Sequence, residues 1–126
     1  MPGPFPYQNG YGPTPAPACQ LILSWGSKTR TINALIDSGA SSTTIPISCV
    51  LPLSLRKIGE KNISGAINNT RHPVGVYEVN ISFLGLTFSA HPVSALQKDY
   101  ALIGRDILNI YTTILNGTRR EFNLTP

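Results

Sequence analysis

Beyond Gln20, only one stretch of this chain, Arg105-Asp106-Ile107-Leu108-Asn109-Ile110, reads as helix, with Ile107, Leu108 and Tyr111 on one face. Everything else is written as strands. Tyr77, Val79, Ile81 and Phe83 point one way while Glu78, Asn80 and Ser82 point the other, the period-two pattern of a half-buried strand. Leu21-Ile22-Leu23-Ser24-Trp25 and residues 30 to 36 predict a hairpin about Gly26-Ser27-Lys28. Thr43 to Ile47, Leu86 to Val93 and Tyr100 to Ile103 predict further strands, and Lys61 to Ile67 with Val74 to Phe83 predict a long hairpin. Asn116-Gly117, the dipeptide suited to the positive φ angles of a two-residue turn, predicts a last hairpin between Thr112 to Leu115 and Thr118 to Leu124. The expected fold class is therefore all-β with one short helix near its end.

With 126 residues, 41% of them hydrophobic, the chain suits one compact domain. Residues 1 to 18 hold six of the eleven prolines with Gly3, Gly10 and Gly12 and no periodicity, so 1–18 reads as a flexible tail or linker and 19–126 as the domain. Pro13-Thr14-Pro15-Ala16-Pro17 also suits a partner-binding peptide or a junction left from a longer precursor. A net charge of +4, carried by ten scattered Lys and Arg residues, gives no basic stripe, and no nucleic-acid partner is expected. Cys19 and Cys49 suggest neither a disulfide framework nor a thiolate metal site. His72 and His91, each before a proline and far from any cysteine cluster, read as loop or surface histidines, so no metal and no cofactor is expected. No apolar run approaches the roughly 20 residues that span a bilayer, and a secretion signal is not seen. A soluble chain, intracellular rather than secreted, with no membrane partner is expected.

Of the six acids, Glu60, Asp99, Asp106 and Glu121 each adjoin a Lys or Arg, and Glu78 lies on the polar face of an alternating strand. Asp37 differs: it ends the apolar run Thr31-Ile32-Asn33-Ala34-Leu35-Ile36 and precedes Ser38-Gly39-Ala40. A carboxylate carried into a core must neutralise, pair or work, so Asp37 is expected to be substantially removed from water. Gly39 lets a ligand approach the backbone closely, and Ser38 offers a small hydroxyl. The bland alternative is an Asx-turn in which Asp37 caps its own bend. Ser38 is a poor nucleophile, with no base placed beside it and no Gly-x-Ser-x-Gly elbow.

Residues 34 to 46, Ala-Leu-Ile-Asp-Ser-Gly-Ala-Ser-Ser-Thr-Thr-Ile-Pro, resemble the catalytic loop of retropepsin-like aspartic proteases. Ala101-Leu102-Ile103-Gly104-Arg105-Asp106-Ile107-Leu108 resembles the same family's apolar segment, glycine and Arg-Asp/Asn helix, in the same order along the chain. The resemblance spans roughly residues 19 to 124. It implies a closed retropepsin-like barrel with one C-terminal helix and a flap hairpin, acting as a homodimer on a polypeptide substrate. The implied function is that of an aspartic endopeptidase in which Asp37 of each copy forms a catalytic dyad that activates water. Ser38 and Gly39 would support the loop. Gly39, Ala40, Ser41, Ser42, Ile103 and Gly104 would form the substrate-binding set, with Ile103 and Gly104 backing the loop, and Ile67, Asn68, Asn69 and Thr70 would close over the peptide. Apolar or aromatic side chains are expected around the cut. Viral members carry an acid where this chain has Ser41, which leaves Arg105 in need of another partner. Two alternatives remain beside the enzyme: a catalytically silent peptide-binding or assembly module of the same fold, and an unrelated small β-barrel with Asp37 as a turn residue.

Overall fold

The computed structural model describes residues 3–64 and 71–126. Ten strands, one short helix and one 3-10 turn run in the order β1 Phe5–Pro6, β2 Ala18–Trp25, β3 Lys28–Ile36, β4 Thr44–Pro46, the 3-10 turn Ile47–Cys49, β5 Lys57–Ser64, β6 Arg71–Phe83, β7 Leu86–Leu96, β8 Ala101–Ile103, α1 Arg105–Leu108, β9 Thr112–Asn116 and β10 Glu121–Thr125. Strands β2, β3, β8, β4, β7 and β6 are neighbours in that order, and β6 pairs back onto β2, so six strands close into a barrel. Closure removes the free edges that an open sheet of such apolar strands would expose. The seventh strand of this sheet, β5, stands outside the ring, paired antiparallel to β6 as a long hairpin arm, and β1, β10 and β9 form a separate three-stranded sheet in that order.

The inward face is the one the alternation marked. Val79, Ile81 and Phe83 of β6 join Leu21 and Leu23 of β2, Ala34 and Ile36 of β3, and Ile45 and Ile103 in one buried cluster. Each fully buried side chain of this size contributes about 1.5–3 kcal/mol. The helix is short but its apolar face is well used: Ile107 and Leu108 are buried, while Ile110, one turn on, is exposed. Burial pushes the Cys19 thiol up to about 11, so this free cysteine is protonated at neutral pH.

Two parallel pairings shape the site. β3 runs beside β8 with Ala34 opposite Ala101, Leu35 opposite Leu102 and Ile36 opposite Ile103. Because both strands end at the same level, Asp37 and Gly104 emerge side by side although 67 positions separate them. β4 is likewise parallel to β7 and antiparallel to β8 through Thr44 and Leu102.

Two sequence expectations are revised. The last hairpin does not turn on two residues: Asn116 pairs with Glu121, which leaves a four-residue loop, and the positive φ falls on Arg120 (53°). Asn116 turns the chain with its side chain instead, its Oδ1 accepting from the Arg119 N–H at 3.2 Å and the Thr118 hydroxyl at 3.0 Å. Within the proline-rich segment 1–18, Phe5–Pro6 pairs antiparallel with β10, and Phe5 and Tyr7 both pack against Phe122. Proline at a sheet edge is compatible with pairing, so the composition concealed a short strand. No helix among the described residues is long and apolar enough to cross a membrane.

Candidate active site

The loop after β3 is held from within and from behind. The Asp37 N–H donates to the Ile103 carbonyl at 3.0 Å, which carries the β3–β8 pairing one residue past the strand. The Ala40 N–H donates to the Asp37 carbonyl at 3.2 Å, and the Gly39 N–H donates to Asp37 Oδ1 at 2.9 Å. That last contact is an Asx-turn, so Asp37 does cap its own bend. One carboxylate oxygen is thereby oriented and the other, Oδ2, stays available. A side chain at position 39 would place its Cβ 3.1 Å from Asp37 Oδ1, which favours glycine there.

Asp37 is half-buried, with Ser38 and Gly39 exposed, so a single chain removes it from water less than the apolar strand suggested. The strand ends at the barrel rim, and the acid stands above the core.

Arg105 answers for its missing acidic partner by holding backbone. Its N–H donates to the Ala40 carbonyl at 2.9 Å and its Nη1 donates to the Ser38 carbonyl at 2.8 Å. The guanidinium thus fixes the carbonyl of the residue next to Asp37, a charge-assisted contact that spans the two motifs.

A second network lies beneath. Thr43, fully buried, donates from Oγ1 to Asp106 Oδ1 at 2.8 Å and accepts the Gly104 N–H at 3.2 Å. His91 Nε2 on β7 lies 2.8 Å from Asp106 Oδ2. Burial works to raise the Asp106 carboxyl, but the bonds from His91 and Thr43 outweigh it and hold the group below its ordinary value. His91 is therefore a half-buried partner of Asp106, where the sequence suggested a loop or surface histidine.

The sign of this shift sets a pH dependence. Asp106 has a lower carboxyl value in the fold than unfolded, so its stabilisation is complete above about pH 4 and fades as pH falls through the folded value. Asp106→Ala is expected to cost about 1–3 kcal/mol by leaving Thr43 and His91 without their acceptor. Urea midpoints measured from pH 7 to pH 3 should show the gap between wild type and Asp106→Asn shrinking below pH 4.

Among the described residues, three acids have Lys or Arg partners and a fourth bonds a histidine, and none of these partners is the adjacent residue in sequence. Glu60 pairs with Lys57 at 2.7 Å, Glu78 with Arg56 at 3.4 Å, Glu121 with Arg119 at 3.6 Å and Asp106 with His91. Adjacent residues on a strand point to opposite faces, so pairing skips the neighbour or crosses to another element; Lys57 and Glu60, three apart on β5, flank the register irregularity between Lys57 and Gly59. No cation of the described residues lies within ion-pair distance of Asp37, nor do they gather a cluster of ligands for a metal ion.

Gly39, Ala40, Ser41 and Ser42 line one wall of a cavity of about 420 Å³. Its opposite wall is Lys61, Asn62 and Ile63 of β5, with Thr44, Leu96 and Leu102 at its base. Those six residues were not anticipated. Lys61 and its neighbours lie on the hairpin arm, whose position over the loop follows from barrel closure and leaves no local mark in sequence. Ile103 and Gly104, expected to back the loop within the substrate-binding set, are buried: Ile103 lends its carbonyl to Asp37, and Gly104 packs on the backbone of Ser42. Ile67, Asn68, Asn69 and Thr70 lie outside the described residues.

Known proteins share this architecture. The chain is similar to the solution structure of the simian foamy virus (mac) protease, at 22% identity and a TM-score of 0.55, over 73% of this chain and 91% of that one. It is also similar to the retroviral protease-like domain of Ddi1 from Leishmania major, at 12% identity and a TM-score of 0.49, over 88% of this chain and 96% of that one. No curated protein sequence gives a match. The fold is retropepsin-like. The sequence profile described as aspartyl protease matches residues 24–107, from the end of β2 through the acidic loop to α1, and the chain belongs to that family.

Proposed function

We propose that the protein is an aspartic endopeptidase whose active site is completed by a second copy of the chain. The observation that carries this reading is the setting of Asp37. It is oriented by the Gly39 N–H at the rim of the barrel, it has no cationic partner among the described residues, and it heads the loop whose residues Gly39, Ala40, Ser41 and Ser42 wall a groove together with Lys61, Asn62 and Ile63 of β5.

One carboxylate cannot serve at once as base and acid. Two like charges about 3 Å apart repel too strongly to coexist, so two copies of Asp37 brought together by a two-fold axis would share one proton. The ionised member takes a proton from a bound water, and the oxygen of that water attacks the scissile carbonyl carbon. The protonated member gives its proton to the carbonyl oxygen, which yields a neutral tetrahedral diol. Return of a proton to the amide nitrogen lets the C–N bond break, giving an acid and an amine with the dyad restored. Ser38 and Gly39 support the loop, and Ala40, Ser41 and Ser42 meet a substrate held in extended form by backbone hydrogen bonds. Ile103 and Gly104 act from behind.

The outer strand β9 suits association. It forms one edge of the β1-β10-β9 sheet and exposes Ile114 and Leu115 at 49% and 47%. A free edge with apolar side chains is a place where a second chain adds strands. The test couples chemistry to mass. Pepstatin-sensitive cleavage of a mixed peptide library should fall in specific activity on dilution, in step with dimer loss by light scattering. A monomer that retains full specific activity would overturn the shared dyad.

A further inference from the structure

Among the described residues that line the groove Lys61 is the only charged one, and no described carboxylate answers it. Its Nζ donates to Ser42 Oγ at 3.0 Å, a neutral acceptor on the opposite wall. The acids nearest in sequence and on the partner strand are already engaged: Glu60 by Lys57 and Glu78 by Arg56. No described carboxylate lies within ion-pair distance of Lys61. Ser42 accepts from the ammonium and so keeps its own O–H to donate, and Ser41 adds a second hydroxyl in the same wall. The described lining therefore presents an ammonium and two hydroxyl donors and no anion to receive them.

We propose that this pocket is a specificity subsite for an acidic side chain of the substrate, with Lys61 and Ser42 together binding the carboxylate of a Glu or Asp that flanks the cleaved bond. The proposal rests on the endopeptidase reading and names the substrate class: peptides with apolar residues at the cut and an acid a short way along the strand. A two-fold arrangement supplies one such subsite on each side of the cut, so substrates with acids on both sides are best served. The carboxylate takes the place of neutral Ser42 as the main partner of Lys61. Glutamine, of the same shape, gains the hydrogen bonds without the charge.

Binding separates this proposal from the chemistry. Labelled ten-residue peptides with an apolar centre, carrying Glu, Gln or Lys at each flanking position in turn, are titrated by fluorescence anisotropy against protein made inert by Asp37→Asn. At one flanking position or its two-fold mate, Glu should bind about fivefold more tightly than Gln at low salt, with the advantage fading at high salt. In the same background Lys61→Gln should erase the difference and Lys61→Glu should reverse it in favour of Lys. Equal binding of Glu and Gln peptides at every position overturns the subsite, as does a preference for Glu that survives in Lys61→Glu, or no binding of any peptide. Whether the wild type cleaves the same peptides is read separately and bears on the endopeptidase reading alone.

Discussion

Replacing Asp37 with Asn is expected to lower peptide cleavage by at least about 10³-fold, because positioned proton transfer contributes on the order of 10²–10⁴ and the exchange removes both roles of the pair. The fold should survive. An asparagine Oδ1 can accept the same Gly39 N–H that Asp37 Oδ1 accepts at 2.9 Å, and the Arg105 contact to the Ser38 carbonyl involves no side chain of Asp37. Near-UV circular dichroism and solution mass should match wild type. Mixing makes the sharper test. If each active centre needs Asp37 from two chains, equal amounts of wild type and Asp37→Asn that exchange freely leave about a quarter of the dimers intact. Activity at constant total protein should then drop to about a quarter, whereas independent sites would retain about half. An activity of one half, or cleavage persisting in Asp37→Asn, would remove the dyad.

The parts of the fold that show in sequence are those governed by local pattern. The alternation from Tyr77 to Phe83 marked the inward face of β6 because the period of side chains on a strand is two, and Val79, Ile81 and Phe83 are all buried. The helix start after Gly104 and the strand before Asp37 were legible for the same reason. The partners of the charged residues were not. Lys98, Lys61, Arg105 and Arg120 stand next to acids in sequence, yet Glu60 takes Lys57, Glu121 takes Arg119, and Asp106 takes His91 from another strand. A sequence read along its length sees neighbours on opposite faces as if they were together. The groove has the same cause: Lys61 faces Ser42 only because β5 extends the barrel from β6, a consequence of closure. Asp37 stood out in sequence as an acid at the end of an apolar strand with no basic neighbour; among the described residues it has no ion-pair partner, as Asp99 has none, and it is less buried than the strand implied. Its strand is apolar up to Ile36, and the chain leaves the core one residue later.

The second large effect concerns a residue that touches neither water nor substrate. A Cβ added at Gly104 would lie 2.5 Å from the carbonyl carbon of Ser42, 2.6 Å from its oxygen and 2.9 Å from its nitrogen. All three are backbone atoms, so no side chain can swing aside. Positive φ is not the reason for glycine here, since Gly104 has φ −94° and ψ −177°, open to any residue. The constraint is contact between the two motifs. Gly104 also anchors Thr43 through its N–H, and the next residue, Arg105, holds Ser38 and Ala40, so moving position 104 strains each of these bonds together. Gly104→Ala is expected to destabilise by about 3 kcal/mol, the upper end of ordinary overpacking. For a domain of this size that lowers Tm by on the order of 10 °C. The loop must yield where Ser42 and Asp37 belong to one turn, so kcat should fall with stability, measured well below the new Tm. Gly59→Ala, where an added Cβ meets nothing within 4 Å, serves as the matched control and should leave Tm within about 2 °C. A Gly104→Ala protein as stable and as active as that control would mean that the contact between the Asp37 loop and the Gly104 turn is not what holds the carboxylate in place.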